Sequence, residues 1–306
     1  MSKDIEWKNF FADNSRYADV INGIGCGGRQ VVKACDLSEA DTASRKKNRD
    51  LLRKAALGMN FVIVGIENQD EIDYELPLRN MHYDVTSYQK QLKEIRKELR
   101  NNPKGLEAGE YLYGFKKDSK LNPVVTFVLY SGKEPWEGPV CLHDMLDFTD
   151  VPDSMKAMIP NYKINVIDIR KFEHTEVFCT DVKHVFDFIR CSEDEKQLVE
   201  LVESDGYYTQ MDEEVFDVVT KYAKANDLIN VKEYFSEGGK TNVCKAIRDL
   251  MEHSREEGIE QGIEQGTLTA KKTLVINMLR ENEAIDKICR LVECDEYFVE
   301  QVKVTM

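Results

Sequence analysis

Residues 61–69, Phe-Val-Ile-Val-Gly-Ile-Glu-Asn-Gln, constrain this chain more than any other stretch. The apolar run is too short for most helices, so it predicts a strand, and it ends in two polar side chains two residues apart, Glu67 and Gln69. Successive strand side chains alternate faces. Glu67 and Gln69 therefore share one face about 7 Å apart, while Ile66 and Asn68 look the other way. A carboxylate in that place can hold a metal ion. Seventeen residues upstream, Asp50 closes the basic run 45–49 and opens Asp-Leu-Leu, a candidate for the neighbouring strand of an antiparallel pair. That spacing allows two acids to converge.

Further motifs follow in order: Tyr-Ala-Asp-Val at 17–20, Arg-Asp-Leu-Leu at 49–52, Gly-Ile-Glu-Asn-Gln at 65–69, Leu-Pro-Leu-Arg-Asn-Met-His-Tyr-Asp at 76–84 and Pro-Val-Val-Thr-Phe-Val-Leu-Tyr-Ser-Gly at 123–132. Together they resemble the recombination-promoting nuclease (Rpn), or putative-transposase, family of the PD-(D/E)xK phosphodiesterase superfamily. The resemblance covers residues 5–190, and a repetitive Glu/Gly tail like the family's recurs at 256–266. It implies a mixed sheet flanked by helices, with the acids on adjoining strands, and a metal-dependent DNA endonuclease linked to recombination, mobile elements or genome defence.

The bulk properties permit this. A chain of 306 residues can bury roughly three quarters of the surface its unfolded form exposes, enough for one main domain and an appended region. No run of 18 apolar residues exists, and the polar start is unlike a secretory signal, so a soluble, cytoplasmic protein with no membrane partner is expected. The eight cysteines form no Cys-x-x-Cys and fit neither a disulfide framework nor a zinc site. A net charge of −14 argues at first against a nucleic-acid partner. Its distribution weakens the objection: residues 1–190 hold 28 Lys/Arg and 30 Asp/Glu, residues 191–306 hold 14 and 26. The acid excess lies in the tail, and basic groups cluster at 45–54 and 90–100.

The pattern predicts a first helix over 4–22 broken near Asn14-Ser15, a short strand at 29–35, strands at 49–53 and 61–67, and a helix from Pro77 to about 100. Buried strands at 124–130 and 164–169 follow, with a short helix near 141–147 between them. This is an α/β domain over 1–190. From 191 to 306 strand signals vanish and amphipathic helices dominate, a second, helical region. Its Gly-Ile-Glu-Gln-Gly repeat at 258–266 has period four, suiting either a solvated linker or a helix that contacts a second copy of the chain in a homo-oligomer.

Phosphodiester hydrolysis requires an activated water, charge stabilisation on the phosphoryl oxygens and help for the leaving oxygen, which Mg²⁺ or Mn²⁺ can provide. Mg²⁺ prefers oxygen ligands and keeps several waters, so Asp50 and Glu67 are the candidate carboxylates. The resemblance implies the backbone carbonyl of Asn68 as a further ligand and Asp19, on the first helix, as an accessory acid; a bare helix acid is otherwise just the wet face. Where the superfamily usually has a lysine this chain has Gln69, which can orient water but carries no charge. Arg79, Tyr83 and Gln89 lie on the helix after the acid strand, within reach of DNA, although an arginine such as Arg79 is more often an ion-pair partner than a DNA ligand. The five histidines show no zinc spacing. Two rival readings remain: a non-catalytic DNA-binding or scaffold protein that keeps the fold, and an interaction protein acting through its helical tail.

Overall fold

The computed structural model describes residues 3–39, 51–57, 60–223 and 225–304. The apolar run becomes a strand, and its neighbours explain why it is apolar almost throughout. Strands β1 (Leu37–Glu39), β2 (Leu51–Leu57), β3 (Asn60–Gln69), β4 (Val124–Tyr130) and β5 (Asn165–Asp168) form one sheet in sequential order. β1, β2 and β3 pair antiparallel, whereas β3, β4 and β5 run parallel. A strand between neighbours and covered on both faces must be apolar on both, so alternation gives way to a continuous run.

One cover is α3 (Leu76–Asn101), the crossover that two parallel strands require between β3 and β4. Pro77 lies in its first turn, where a missing N–H costs nothing. Leu76 packs with Val128 and Ile164, closed over by Trp136, Tyr162 and Val166. Further along, the buried face of α3 turns polar and is satisfied: Asp84 accepts a hydrogen bond from the Tyr162 hydroxyl at 2.6 Å, and Gln91 exchanges bonds with the backbone of Asn122 at 3.1 and 2.7 Å. Short helices α4 (Ala108–Tyr113) and α5 (Asp153–Lys156) decorate the following loops.

The opposite cover comes from the two ends of the compact unit. Helices α1 (Lys3–Phe10) and α2 (Asn14–Val20) meet α6 (Val182–Cys191) and α8 (Glu213–Tyr222), with α7 (Glu195–Ser204) and α9 (Asn226–Phe235) outside them. Trp7 stacks on Phe11 and meets the edge of Tyr222, while the Tyr17 hydroxyl donates to the carbonyl of Val64 at 2.7 Å. The α1/α2 break falls where Asp13 caps α2, accepting from the N–H of Ser15 and Arg16.

Two sequence expectations are corrected. The segment expected as a strand at 29–35 is irregular and ends in a 3₁₀ turn at Ala34–Asp36, because the buried side chain of Asn22 takes over its backbone groups. Asn22 accepts from the N–H of Val31 and Val32 and donates to the carbonyl of Val32, at 2.8 to 3.0 Å. Second, strands do occur after 191: β6 (Met211–Asp212), β7 (Ser236–Glu237) and β8 (Lys240–Thr241) make a small antiparallel sheet.

The chain divides into compact units at Met1–Cys244 and Lys245–Met306, well beyond the expected change at 190. The reason is packing: α8, which lies beyond 190, rests against α1 and α6, and its Val215, Phe216, Val218 and Val219 are fully covered. The last helices are α10 (Val243–Arg280), α11 (Ile285–Val292) and α12 (Glu296–Val304); Val275, Ile288, Val292, Val299 and Val302 form the core they share. The Gly/Glu/Gln repeat is helical, inside α10. Among the described residues no helix is long and apolar enough to cross a membrane.

Candidate active site

The polar residues that end β3 lie at the carboxyl ends of two parallel strands, Glu67 beside Val128 and Gln69 beside Tyr130. In open α/β sheets that is where ligands bind. Alternation puts Glu67 and Gln69 on the face covered by α3 and Asn68 on the other, where its amide donates to the Tyr222 hydroxyl at 3.0 Å.

The Glu67 side chain is only 6% exposed. A buried carboxylate requires a counter-charge. Arg79, one turn into α3, provides it, donating from Nη2 to Glu67 Oε1 and from Nη1 to Asp73 Oδ2. Gln69 Nε2 donates to the same Glu67 oxygen at 3.2 Å. Burial by itself would lower the Arg79 guanidinium, but the charge and hydrogen bond of Glu67 and the charge of Asp73 outweigh it, so the group is held above its ordinary range. A fixed positive charge thus faces the strand-end carboxylate.

The structure brings together Glu67, Gln69 and Arg79, with Tyr83 one turn further along the helix. It adds Asp73, which sequence reasoning passed over; an acid six residues before an arginine across a helix start was the available signal. Gln89 is exposed and ten residues beyond Arg79, roughly 15 Å along the axis at 1.5 Å per residue, so it does not share this cluster. Asp50 lies outside the described residues. The first described residue of β2, Leu51, pairs with Ile66. Asp19 is buried, but its carboxylate is committed elsewhere: it accepts from the N–H of Cys179 through both oxygens at 2.9 Å, and from the N–H and hydroxyl of Thr180 at 2.7 Å. It ties α2 to the turn before α6, which is a different employment from the accessory acid the resemblance implies.

Among the described residues no group of three or more His, Cys, Asp or Glu side chains gathers to hold a metal. What fits a hard cation is narrower: a buried carboxylate at a strand end, with a guanidinium now compensating its charge. The family model described as "Putative transposase, YhgA-like" matches residues 38–215, more than half of the chain. No curated protein and no solved structure matches it. The match spans the whole five-stranded sheet except the first residue of β1, together with α3 and the Glu67 cluster, and the chain belongs to the family of YhgA-like putative transposases.

Proposed function

We propose that the chain is a metal-dependent phosphodiesterase that cuts DNA at the carboxyl edge of β3. The observation that carries this reading is the buried Glu67 at a parallel-strand end, held by Gln69 and Arg79 inside the family match. Glu67, the backbone carbonyl of Asn68 and Asp50 would hold Mg²⁺ or Mn²⁺. When bound, such a cation neutralises charge on the phosphoryl oxygens and acidifies an attacking water. Gln69 would orient that water through its amide, and Arg79, still anchored by Asp73, would be available to a phosphate once Glu67 has a cation. The test is conversion of supercoiled plasmid to nicked or linear form with Mg²⁺ or Mn²⁺ against EDTA; absence of cleavage in every divalent cation would reject the reading.

A second reading has its own observation. The Arg79–Glu67 pair compensates the charge of the acid without a metal and Gln69 is neutral, as expected of a non-catalytic DNA-binding protein on this fold. Arg79→Ala separates the two. Losing one partner of a fully buried pair costs about 3–5 kcal/mol, but Arg79 is 34% exposed, so about 1–2 kcal/mol is expected, or roughly 2–6 °C in Tm. If a cation belongs at Glu67, Mg²⁺ should raise the Tm of this variant more than that of the wild type. Equal Mg²⁺ responses would favour the non-catalytic reading. In the catalytic reading Gln69→Lys should retain or raise nicking and Gln69→Ala reduce it, because lysine adds charge near the developing phosphorane; equal rates would remove Gln69 from the site.

The helical tail fits self-association. Cβ atoms added at Gly258, Gly262 and Gly266 would meet no heavy atom within 4 Å, and Ile259 and Ile263 are exposed beside them. Replacing all three glycines by alanine should stabilise an isolated helix by about 1 kcal/mol each. If instead they seat a second copy closely, particle mass measured by light scattering should fall. A raised Tm with unchanged mass would leave the repeat as a solvated helix.

A further inference from the structure

The crossover helix α3 carries a charge pattern that the Glu67 cluster does not use. His82, Gln89, Lys93, Arg96 and Arg100 follow Arg79 at steps of three, four or seven, which places them on one face of a helix with 3.6 residues per turn. From His82 to Arg100 every member of this stripe is exposed, as is Lys97 beside it. The acids of α3 avoid it. Asp84 is buried under Tyr162, and Glu94 and Glu98, although exposed, each follow a lysine by one residue, about 100° further round the helix and away from the stripe. Like charges gathered on one face repel one another, so the arrangement costs stability unless a polyanion covers it.

At its far end the stripe meets α4. Gly114 ends that helix with φ +64°, and the Arg96 stem lies against it so closely that a Cβ there would sit 2.8 Å from Arg96 Cγ. Arg96, Arg100 and Leu99 line a cleft of about 250 Å³ with Tyr111 and Tyr113. Tyr111, Leu112 and Tyr113 are each about 70% exposed, and Lys116, Lys117 and Lys120 follow directly. Residues 89–120 hold nine Lys/Arg and five Asp/Glu in a chain of net charge −14. Basic side chains and exposed tyrosine hydroxyls are groups that hydrogen-bond the phosphates of a sugar–phosphate backbone.

We propose that the outer face of α3 and the α4 corner form a track for the backbone of duplex DNA, running from Arg79 to Arg96, Arg100, Tyr111 and Tyr113. From Arg79 to Arg100 the helix rises roughly 32 Å, the length of about nine base pairs at 3.4 Å each. Only the direction of the track, away from the cutting edge, rests on the Glu67 reading; its affinity does not. Because binding can be measured in EDTA, the two can fail separately.

The test is fluorescence anisotropy of a labelled 20-base-pair duplex with the full chain in EDTA, across a salt series. Lys93→Ala/Arg96→Ala/Lys97→Ala/Arg100→Ala is compared with the wild type and with Lys240→Ala/Lys303→Ala. The quadruple variant should bind at least about tenfold more weakly, and its log-affinity against log-salt slope should be shallower by about three units, while the control double variant is unchanged. All four side chains are exposed, and easing their mutual repulsion offsets the lost contact of the Arg96 stem with Gly114, so the variant should stay folded with a melting curve close to that of the wild type. Wild-type affinity in the quadruple variant, or no duplex binding by the wild type, would overturn the proposal. So would a fall in particle mass with DNA affinity intact, which would assign the face to the acidic tail of a second copy. Normal track behaviour in a protein that nicks nothing would leave the track standing and remove the Glu67 reading.

Discussion

Glu67→Gln is expected to lose more than about 100-fold in metal-dependent nicking while remaining folded. The size follows from place: even groups that merely support metal ligands are typically worth 10–100-fold, and Glu67 is proposed as a ligand itself. The amide has the shape of the carboxylate and can still accept from Arg79 and Gln69 through its oxygen, so packing is kept while the anionic oxygen is lost. Glu67→Ala tests the same point less cleanly. It removes the counter-charge of a partly buried arginine, and although Arg79 keeps Asp73, about 1–2 kcal/mol of stability should go with it. Removing the acid is therefore destabilising in the metal-free protein, contrary to what a cluster of unpaired carboxylates would give. Asp50→Ala and the double variant should add little further loss of rate, since ligands of one ion act as a unit. Nicking by Glu67→Gln at the wild-type rate, in a protein that melts normally, would exclude this edge as the cutting site.

Strands β3 and β4 and helix α3 were legible because each is long and its pattern answers to one partner surface. An apolar run buried on both faces, or a 26-residue helix with a proline at its start, leaves little alternative. What escaped depends on contacts distant in sequence. The Glu67–Arg79 pair spans 12 residues and exists only because the turn at 70–75 folds α3 back over the strand end, bringing Asp73 along. The irregular 29–35 segment reads as a strand until the buried Asn22 side chain claims its backbone. Strand signals stop near 190, yet α8 is integral to the first unit because its apolar face completes the cover begun by α1, α2 and α6. The candidate site was legible to the same extent: Glu67, Gln69 and Arg79 converge and Asn68 turns its side chain the other way, to Tyr222, as strand alternation requires, whereas Gln89 lies nearly three turns further on.

Asp19 gives the largest expected effect on stability. Read as an accessory acid, it should matter for cleavage and leave the fold indifferent. Its surroundings say otherwise: the residue is 2% exposed and its carboxylate accepts from the backbone N–H of Cys179 and Thr180 and from the Thr180 hydroxyl. Hydrogen bonds to a charged acceptor contribute about 1.5–3 kcal/mol each, with part of that offset by desolvating the carboxylate. Asp19→Ala leaves two backbone donors and a hydroxyl without their acceptor and detaches α2 from the turn that leads into α6. A net loss of about 3–5 kcal/mol is expected, or roughly 6–15 °C in Tm, measured in EDTA so that no metal contributes. Asp19→Asn, which keeps one acceptor oxygen, should lose less, and Thr180→Val should lose least because only the hydroxyl bond disappears. That graded order separates a tie from a ligand. If all three variants melt with the wild type while Asp19→Ala and Asp19→Asn abolish nicking, the four hydrogen bonds are incidental and the acid acts at the metal after all.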